Sequence, residues 1–447
     1  MYTGLELTAP ALMPDTTSRI TLKRALKVFG VYLLFVNVFG VLIKSPISLI
    51  YLVFGGYPML FVDLFFFLIF FGDSLFNKGG KFTRYEIWVV IMLTYILLVS
   101  GLMANFYYEQ PVFIGMKSEK SWLAILIGFI FFYLLKTKAI DLKIIKDALL
   151  FGAWLQLPIF LILLTTLNPN HYAGTLFVYC NTVKGGCQFE FDIFVFAFAS
   201  IYYFIRFVRT NKLWYGLFAA IFFGYIFFIN QKRGTSLALL GTLGLYFLLN
   251  LKWDKIIVYT IGVVIFFISA ILTLYFFLPN ILDRLILQYY DVYQVLTGHH
   301  VAEASAQARV RESAIAFKYF AKNDLSWIFG NGKTDNDWAG QPPDLDHYYP
   351  SDIGILGIIW QFGALGLLLG LYQYYLVFRH HRLIKFFRKN SFYQAILYFL
   401  IFFLVRGIPT GGSWFDPGIA IASVFVAIHY FFYYVELHPE KGYRNPL

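Results

Sequence analysis

Long apolar segments alternate with short polar connections along almost the whole chain. A run of roughly 20 mostly apolar residues is long enough to cross the hydrocarbon core of a bilayer as a helix. The pattern therefore predicts an all-α polytopic membrane protein with about twelve transmembrane helices. The predicted spans are 27–43, 57–72, 87–106, 121–136, 144–166, 189–207, 213–230, 235–251, 256–279, 353–378, 392–408 and 417–435. Residues 45–57, before the second span, fit either a re-entrant piece or an extension of that span.

One long polar segment, residues 280–350, interrupts this pattern and contains no predicted span. Loops of that length usually either carry function or lack structure. Residues 302–322 are rich in alanine and predict an amphipathic helix, and Phe329-Gly330-Asn331-Gly332 predicts a turn. The chain thus divides into spans one to nine (1–279), a large helical loop (280–350), and the last three spans with a tail (351–447).

The composition agrees with a membrane protein. Hydrophobic residues make up 59% of the chain and charged residues 14%, whereas soluble domains carry about 25% charged residues. This balance excludes a soluble globular enzyme and a disordered chain. Two cysteines in 447 residues also exclude a disulfide-rich scaffold.

The net charge of +11 reflects membrane topology. Lys and Arg in short loops concentrate on the side of the membrane that holds both termini, and such an excess marks the cytoplasmic side. The large loop then lies on the outer side. Because topology accounts for the basic excess, we predict membrane lipid as a partner and no nucleic acid. Lys44, Lys117, Lys120 and Lys184 lie in polar outer loops and are predicted to be solvated.

Arg233 is the first candidate for chemistry, because it lies in Asn230–Ser236 at the outer end of a span. One interpretation is an interfacial residue that snorkels to lipid headgroups. The other is a phosphate clamp, since the planar guanidinium binds phosphate oxygens in a bidentate manner.

Arg309 and Arg311 lie two positions apart on the predicted loop helix. Side chains at that spacing do not share a helix face. One of them can therefore face a cavity while the other pairs with an acid or meets solvent. The alternative is a solvated amphipathic helix.

His347 and Asp352 precede the tenth span. Asp352 is either a helix cap or, like His347, a candidate general base.

Arg406 is expected to pair with Asp416 in the last outer turn, or else to line the same cavity as the other candidate residues. Cys180 and Cys187 bracket a short outer loop, where a local disulfide is plausible outside the cytoplasm.

No spaced set of metal ligands, phosphate-binding loop or dinucleotide fingerprint occurs in the sequence. We therefore predict no metal and no cofactor. A secondary transporter is the rival from another class. The spans hold few charges at mid-depth and show no internal repeat, and both features argue against it.

Three local motifs occur in order along this topology. Arg233-Gly234 follows a span, and Gly244 lies eleven positions further on. Arg311 on a helix precedes the turn Gly330-Asn331-Gly332. Ser351-Asp352-Ile353-Gly354 leads into Gln361-Phe362-Gly363-Ala364-Leu365-Gly366. In these motifs and in its topology the chain resembles the O-antigen polymerase and O-antigen ligase superfamily, bacterial membrane glycosyltransferases of the C type (GT-C).

One departure separates the two branches of that superfamily. Ligases carry a His-Asn pair about eleven residues before the Gly-x-x-Gly element, whereas counting back from Gly363 reaches Asp352. His347 lies five residues earlier. The Ser-Asp sequence at this position looks more like the polymerases.

The resemblance implies a glycosyltransferase of the bacterial inner membrane with its active site facing the periplasm. It would polymerise undecaprenyl-diphosphate-linked repeat units into O-antigen or a capsular or exopolysaccharide. A ligase that transfers the glycan to lipid A core or protein is the alternative. Arg233, Arg311 and Arg309 are expected to hold the diphosphate, and Asp352 or His347 to act as the base. A chain-length regulator and a flippase of the same pathway are candidate partners.

Overall fold

A computed structural model describes most of the chain. The described residues are 22–39, 57–76, 82–172, 178–181, 186–189, 193–230, 233–251, 253–277, 282–283, 286, 290, 304–335, 338–346, 348–380, 383, 387–408, 411 and 418–437. Nearly all of them are helical, and the one sheet among them is a two-stranded hairpin.

Ten helices and the hairpin form the described part of the chain before the large loop. They are α1 Leu22–Phe39, α2 Tyr57–Phe76, α3 Arg84–Tyr108, α4 Val112–Ser118, α5 Lys120–Lys136, α6 Leu142–Thr166, β1 Val178–Asn181, β2 Gly186–Phe189, α7 Ile193–Thr210, α8 Leu213–Gly224, α9 Arg233–Asn250 and α10 Trp253–Phe277. α3 contains a π-helical turn at Tyr95–Val99, and a second π-helical turn, Tyr225–Asn230, extends α8.

The large loop and the last helices follow. The loop contains α11 Ala304–Lys322, the single turn α12 Ser326–Phe329 and two 3-10 turns, Pro343–Leu345 and Pro350–Ile353. The C-terminal helices are α13 Gly354–Phe378, α14 Ser391–Gly407 and α15 Gly418–Leu437. The loop helix and the Phe329–Gly332 turn therefore lie where the sequence predicts them.

Among the described residues, five helices are long and apolar enough to cross a membrane: Arg84–Tyr108, Leu142–Leu163, Ile193–Thr210, Pro350–Phe378 and Gly418–Leu437. The bent pair formed by α4 and α5 makes a sixth if it is one span. These are the helices of a multi-pass membrane protein. Each of the twelve predicted segments coincides with a helix, but the count of twelve spans and the GT-C fold stay predictions.

Short polar side chains begin several helices, as expected where backbone N–H groups lack partners. Thr83 and Glu86 form a reciprocal capping box at the start of α3. Asp141 accepts from the backbone N–H of Ile144 in α6, and Asn390 caps α14.

The core is dominated by aromatic rings around α15, whose residues are almost all buried. Phe425 of this helix packs on Phe399 of α14, with ring centroids 4.2 Å apart, and on Phe198 of α7 at 5.4 Å. In contrast, α2 and α10 leave many large apolar side chains exposed, including Phe61, Phe65 and Ile265. Such surfaces suit contact with lipid, because a bilayer absorbs apolar area that water would not.

The segment between the third and fourth predicted spans differs from the prediction. The sequence suggests a solvated polar loop around Lys117 and Lys120, whereas the structure has the short helix α4 bent by 52° against α5. Glu119 occupies the bend and is fully buried. The bend thus places the Glu119 carboxyl group inside the protein. The sequence analysis predicted only the solvated Lys117 and Lys120 in this segment.

Candidate functional site

A break in α13 joins the membrane helices to the large loop. Gly363 has φ 68° and ψ −179°, which is not helical, so the carbonyl groups before it are free for other partners. The backbone N–H groups of Asn331 and Gly332 donate to the carbonyl oxygens of Trp360 (2.7 Å) and Gln361 (3.1 Å). The structure therefore brings the predicted Gly330–Gly332 turn and the predicted Gln361–Gly366 element into direct contact.

Glycine is required at this contact. Gly330 and Gly363 both have positive φ, and an added Cβ would lie 2.3 Å from the carbonyl oxygen of Gln361 and 2.1 Å from that of Ile328, respectively. Gly332 also has positive φ, and its added Cβ would lie 2.2 Å from the carbonyl oxygen of Ser100. The turn and the broken helix thus approach each other at backbone distance.

The other side of the turn is attached to α3 and α4. The backbone N–H of Lys333 donates to the Ser100 hydroxyl at 3.1 Å. The amide of Gln110 bridges two positions of the turn: it donates to the Lys333 carbonyl at 3.1 Å and accepts from the Asp335 N–H at 2.8 Å. The turn is therefore held from both sides and has a fixed position above the helices.

Glu119 lies beneath this turn and is fully buried. Its Oε1 accepts hydrogen bonds from the Ser100 hydroxyl (2.7 Å) and the Gln361 amide (2.6 Å). The Lys333 ammonium group interacts favourably with the carboxyl group, and the Trp122 indole N–H donates a hydrogen bond to it. Its Oε2 makes no hydrogen bond. An ionisable side chain at such a place is a candidate for function, because burying it without a purpose is costly.

A cavity of about 330 Å³ lies between the loop and the helices. Its size falls at the lower end of the range for ligand pockets, about 300–1,000 Å³. Both charged and aromatic side chains line it, among them Glu119, Lys333, Gln341, Tyr348, Ser351 and Trp360. The cavity is therefore polar as well as aromatic, which suits a ligand with several hydroxyl groups.

Glu312 of α11 lies near this cavity and interacts with three charged residues, Arg309, Arg311 and Asp352. It is buried, and its Oε1 accepts weakly from the backbone N–H of Tyr349 at 3.4 Å. Burial and the nearby Asp352 carboxylate raise the pKa of Glu312 to about 7, while Arg309 and Arg311 oppose the rise. A carboxyl group with such a pKa is suited to proton transfer near neutral pH.

The structure thus places three of the predicted site residues around Glu312. Arg309, Arg311 and Asp352 are all exposed, so a ligand can reach them. Asp352 does not cap α13, because the N-cap position is Ile353 and no side chain caps this end. His347 lies outside the described residues.

Arg233 lies at the start of α9, and its side chain is outside the described ones. Two residues later, the buried Thr235 hydroxyl accepts from Nε of Arg406 at 3.0 Å. Arg406 also lies over the Phe194 ring, 4.7 Å from its centroid. The expected partner Asp416 is outside the described residues. A Cβ added at Gly244 would meet nothing within 4 Å, so packing does not require glycine there.

Cys180 and Cys187 face each other in the β1–β2 hairpin, which the sequence did not predict. Cys187 is disulfide-bonded. Since the chain has only these two cysteines, they are joined to each other. The bond links the two strands of the hairpin and is remote in sequence from the residues around Glu312.

Three aromatic residues of the large loop, Trp327, Tyr348 and Tyr349, have different environments. One face of Trp327 is covered by Phe320, with ring centroids 4.0 Å apart. Tyr348 packs edge-on against Trp360 at 4.6 Å and lines the cavity. Tyr349 is exposed at the cavity edge. Tyr348 and Tyr349 are therefore better placed to contact a ligand than Trp327.

Sequence reasoning missed Glu119, Glu312 and Lys333. The sequence does contain a signal for Glu119. This acid lies between two helices that together are long and apolar enough to form one membrane span. Glu312 follows Arg311 directly in sequence, but only the folded loop shows that it is buried beside Asp352.

Among the described residues, no group of three or more His, Cys, Asp or Glu side chains is arranged to hold a metal ion. The chain matches no protein-family model, no curated protein and no solved structure. The chemistry of the site therefore has to follow from the residues that form it.

Proposed function

We propose that the protein is a membrane glycosyltransferase that polymerises undecaprenyl-diphosphate-linked oligosaccharide repeat units at the outer face of the bacterial inner membrane. The observation that carries this proposal is the grouping of Arg309, Arg311 and Asp352 around the buried Glu312, at the edge of a polar cavity. Two cations and two carboxyl groups in one part of the loop could supply the charge stabilisation and the base that glycosyl transfer from a diphosphate needs.

The proposed reaction assigns the cations to the departing group. The bond between the anomeric carbon of the donor and the diphosphate oxygen breaks, and negative charge develops on that oxygen. Arg309 and Arg311 would stabilise this charge through fixed guanidinium groups. Arg233 is a third candidate for the diphosphate, at the start of α9. Undecaprenyl diphosphate leaves, and no metal is required in this scheme.

The carboxyl groups are assigned to the acceptor. A hydroxyl group of the acceptor sugar attacks the anomeric carbon from the opposite side, so the configuration at this carbon inverts. Its proton passes to Asp352, which is exposed at the end of the segment that lines the cavity. His347 is the rival base. Glu312 is a positioning residue in this scheme, because its charge state influences Asp352.

The proposal is tested in a deletion strain complemented with the wild-type gene, Arg311→Ala or Lys322→Ala. Lys322 lies exposed on the same helix as Arg311 and serves as the matched control. We expect Arg311→Ala to reduce the surface glycan from a ladder of lengths to single repeat units, and Lys322→Ala to keep the ladder. Protein level in the membrane is measured for each variant.

Two other results would contradict the proposal. Loss of surface glycan with polymer retained on the carrier lipid would identify a ligase. An unchanged ladder in the deletion strain itself would exclude polymerisation and favour a transporter or another role.

A further inference from the structure

We infer that the cavity beneath the outer loop binds one uncharged sugar ring, with a hydroxyl or amide N–H of that sugar donating to Glu119. This inference rests on the proposed function for the assumption that the protein handles glycans. It goes further in assigning a place and a charge preference to the bound sugar.

Three polar atoms that line the cavity are buried without a hydrogen-bond partner. They are Oε2 of Glu119, Nε1 of Trp360 and the hydroxyl oxygen of Tyr348. Buried polar groups are normally paired, and each exception calls for an explanation. Three exceptions around one cavity are explained together if a ligand completes their hydrogen bonds.

The three groups differ in what they need. The Glu119 carboxyl oxygen can accept, the Trp360 indole N–H only donates, and the Tyr348 hydroxyl does both. A sugar ring carries several hydroxyl groups, each of which donates and accepts. It can therefore satisfy all three, whereas a purely apolar ligand would satisfy none of them.

The walls of the cavity agree with a sugar ring. The Tyr348 and Trp360 rings meet edge-on with their centroids 4.6 Å apart, so each presents apolar surface next to its polar atom. Sugars combine apolar C–H faces with hydroxyl edges in the same way. The volume of about 330 Å³ holds roughly ten waters at their liquid volume, which is enough for one ring and too little for a long oligosaccharide.

The charges of the cavity indicate an uncharged ligand. Glu119 is opposed by the nearby Lys333, whose Nζ in turn donates to the Ser118 carbonyl at 3.1 Å. When Glu119 is ionised, the acid and the base offset each other and no net charge remains to bind an ion. A carboxylate on the sugar is then repelled by the free oxygen of Glu119, because neither oxygen can donate.

The test uses the full-length protein in nanodiscs and saturation-transfer NMR. The probes are methyl glycosides of neutral hexoses, deoxyhexoses and N-acetylhexosamines, with methyl glucuronide as the acidic probe. The variants are Tyr348→Phe and Trp360→Phe, which delete the unpartnered polar atoms and keep an aromatic ring. The matched control is Tyr32→Phe, since the Tyr32 hydroxyl is equally buried and unpartnered in the core but does not line the cavity.

We expect at least one neutral glycoside to bind the wild-type protein and the Tyr32→Phe control equally well. Tyr348→Phe and Trp360→Phe should each weaken this binding about three- to tenfold. The melting temperature of Tyr348→Phe should stay unchanged or rise, because the deleted hydroxyl has no partner in the unliganded protein. The melting temperature of Trp360→Phe should fall, because the smaller ring leaves a void in the buried cluster around it. The glucuronide should bind at least tenfold more weakly.

Binding of no neutral glycoside, or unchanged binding by both cavity variants, would overturn the inference. Equal binding of the glucuronide would overturn the charge preference. These results are separate from the glycan ladder. If the protein makes polymer but binds no monosaccharide probe, the inference is refuted and the proposed polymerase activity is not. If the protein binds a probe but its deletion strain keeps an unchanged ladder, the polymerase activity is refuted and the inference is not.

Discussion

The backbone N–H of Asn331 donates to the carbonyl oxygen of Trp360 at 2.7 Å, and the Asn331 side-chain amide donates to the same oxygen at 3.2 Å. Asn331 is fully buried. Since Trp360 lies three residues before the break in α13, these bonds use a carbonyl group that an unbroken helix would have occupied. The large loop and α13 therefore fold as one unit.

Replacing Gly363 by alanine should weaken the contact between the large loop and α13. Its φ of 68° is unfavourable for alanine, and the new Cβ would lie 2.1 Å from the Ile328 carbonyl oxygen. We expect a loss of at least about 2 kcal/mol of stability. A lower melting temperature in detergent and faster proteolysis within residues 304–346 would measure it.

The control for this variant is Gly241→Ala. Gly241 lies inside α9, and a Cβ added there meets nothing within 4 Å. Alanine is favoured over glycine within helices by up to about 1 kcal/mol, so this variant should be neutral or slightly stabilising. Equal melting of Gly363→Ala and the wild type would show that the contact does not hold the loop.

The base in the proposed reaction is tested by three variants. Asp352→Asn should reduce glycan transfer at least about 100-fold, since removing a general base typically costs 10²–10⁴. His347→Ala should only weaken transfer. Asp324→Asn, an exposed carboxylate of the same loop, should leave it unchanged. Transfer is measured with purified lipid-linked repeat units, and the reverse ranking of Asp352 and His347 would make His347 the base.

The helices of this fold follow from the sequence because apolar runs of membrane length leave few alternatives. The loop helix at Ala304–Lys322 and the turn at Gly330–Gly332 follow equally from local composition. The sequence does not show that the turn meets Trp360 and Gln361, because nothing local records a contact between positions about 30 residues apart.

The buried carboxyl groups were missed for the same reason. Glu119 lies next to Lys120 in a segment whose sequence predicts a polar loop. Only the bend between α4 and α5 places its side chain inside the protein. Arg309, Arg311 and Asp352 were identified separately. Their common neighbour Glu312 was not, because burial of one acid on a charged helix depends on what packs against it.

Arg233→Lys tests whether the start of α9 takes part in the reaction. A lysine keeps the charge but not the planar fork that binds a phosphate in a bidentate manner. If Arg233 holds the diphosphate, transfer should fall at least tenfold while the amount of folded protein stays the same. Near wild-type polymer from this variant would remove Arg233 from the mechanism. Arg379→Lys, on the cytoplasmic side of the predicted topology, is the control and should be silent.

The pH dependence of loop stability is expected to report on Glu312. Its pKa is raised to about 7 in the folded protein by burial and by Asp352, whereas an unfolded chain has a value of about 4.3. Below the unfolded value both states bind the proton, and folding carries no penalty. As the pH rises towards 7, the unfolded chain releases the proton more readily, so the folded loop loses stability with an upper limit of about 4 kcal/mol.

Hydrogen exchange of α11 should therefore be slower at pH 5 than at pH 8, after correction for the intrinsic rate. Glu312→Gln removes the titrating group and keeps the shape of the side chain, so it should abolish most of this difference and protect the loop at pH 8. Asp324→Asn, whose carboxyl group is exposed, should retain the wild-type dependence. If Glu312→Gln and the wild type lose protection equally between pH 5 and pH 8, then Glu312 does not control the stability of the loop.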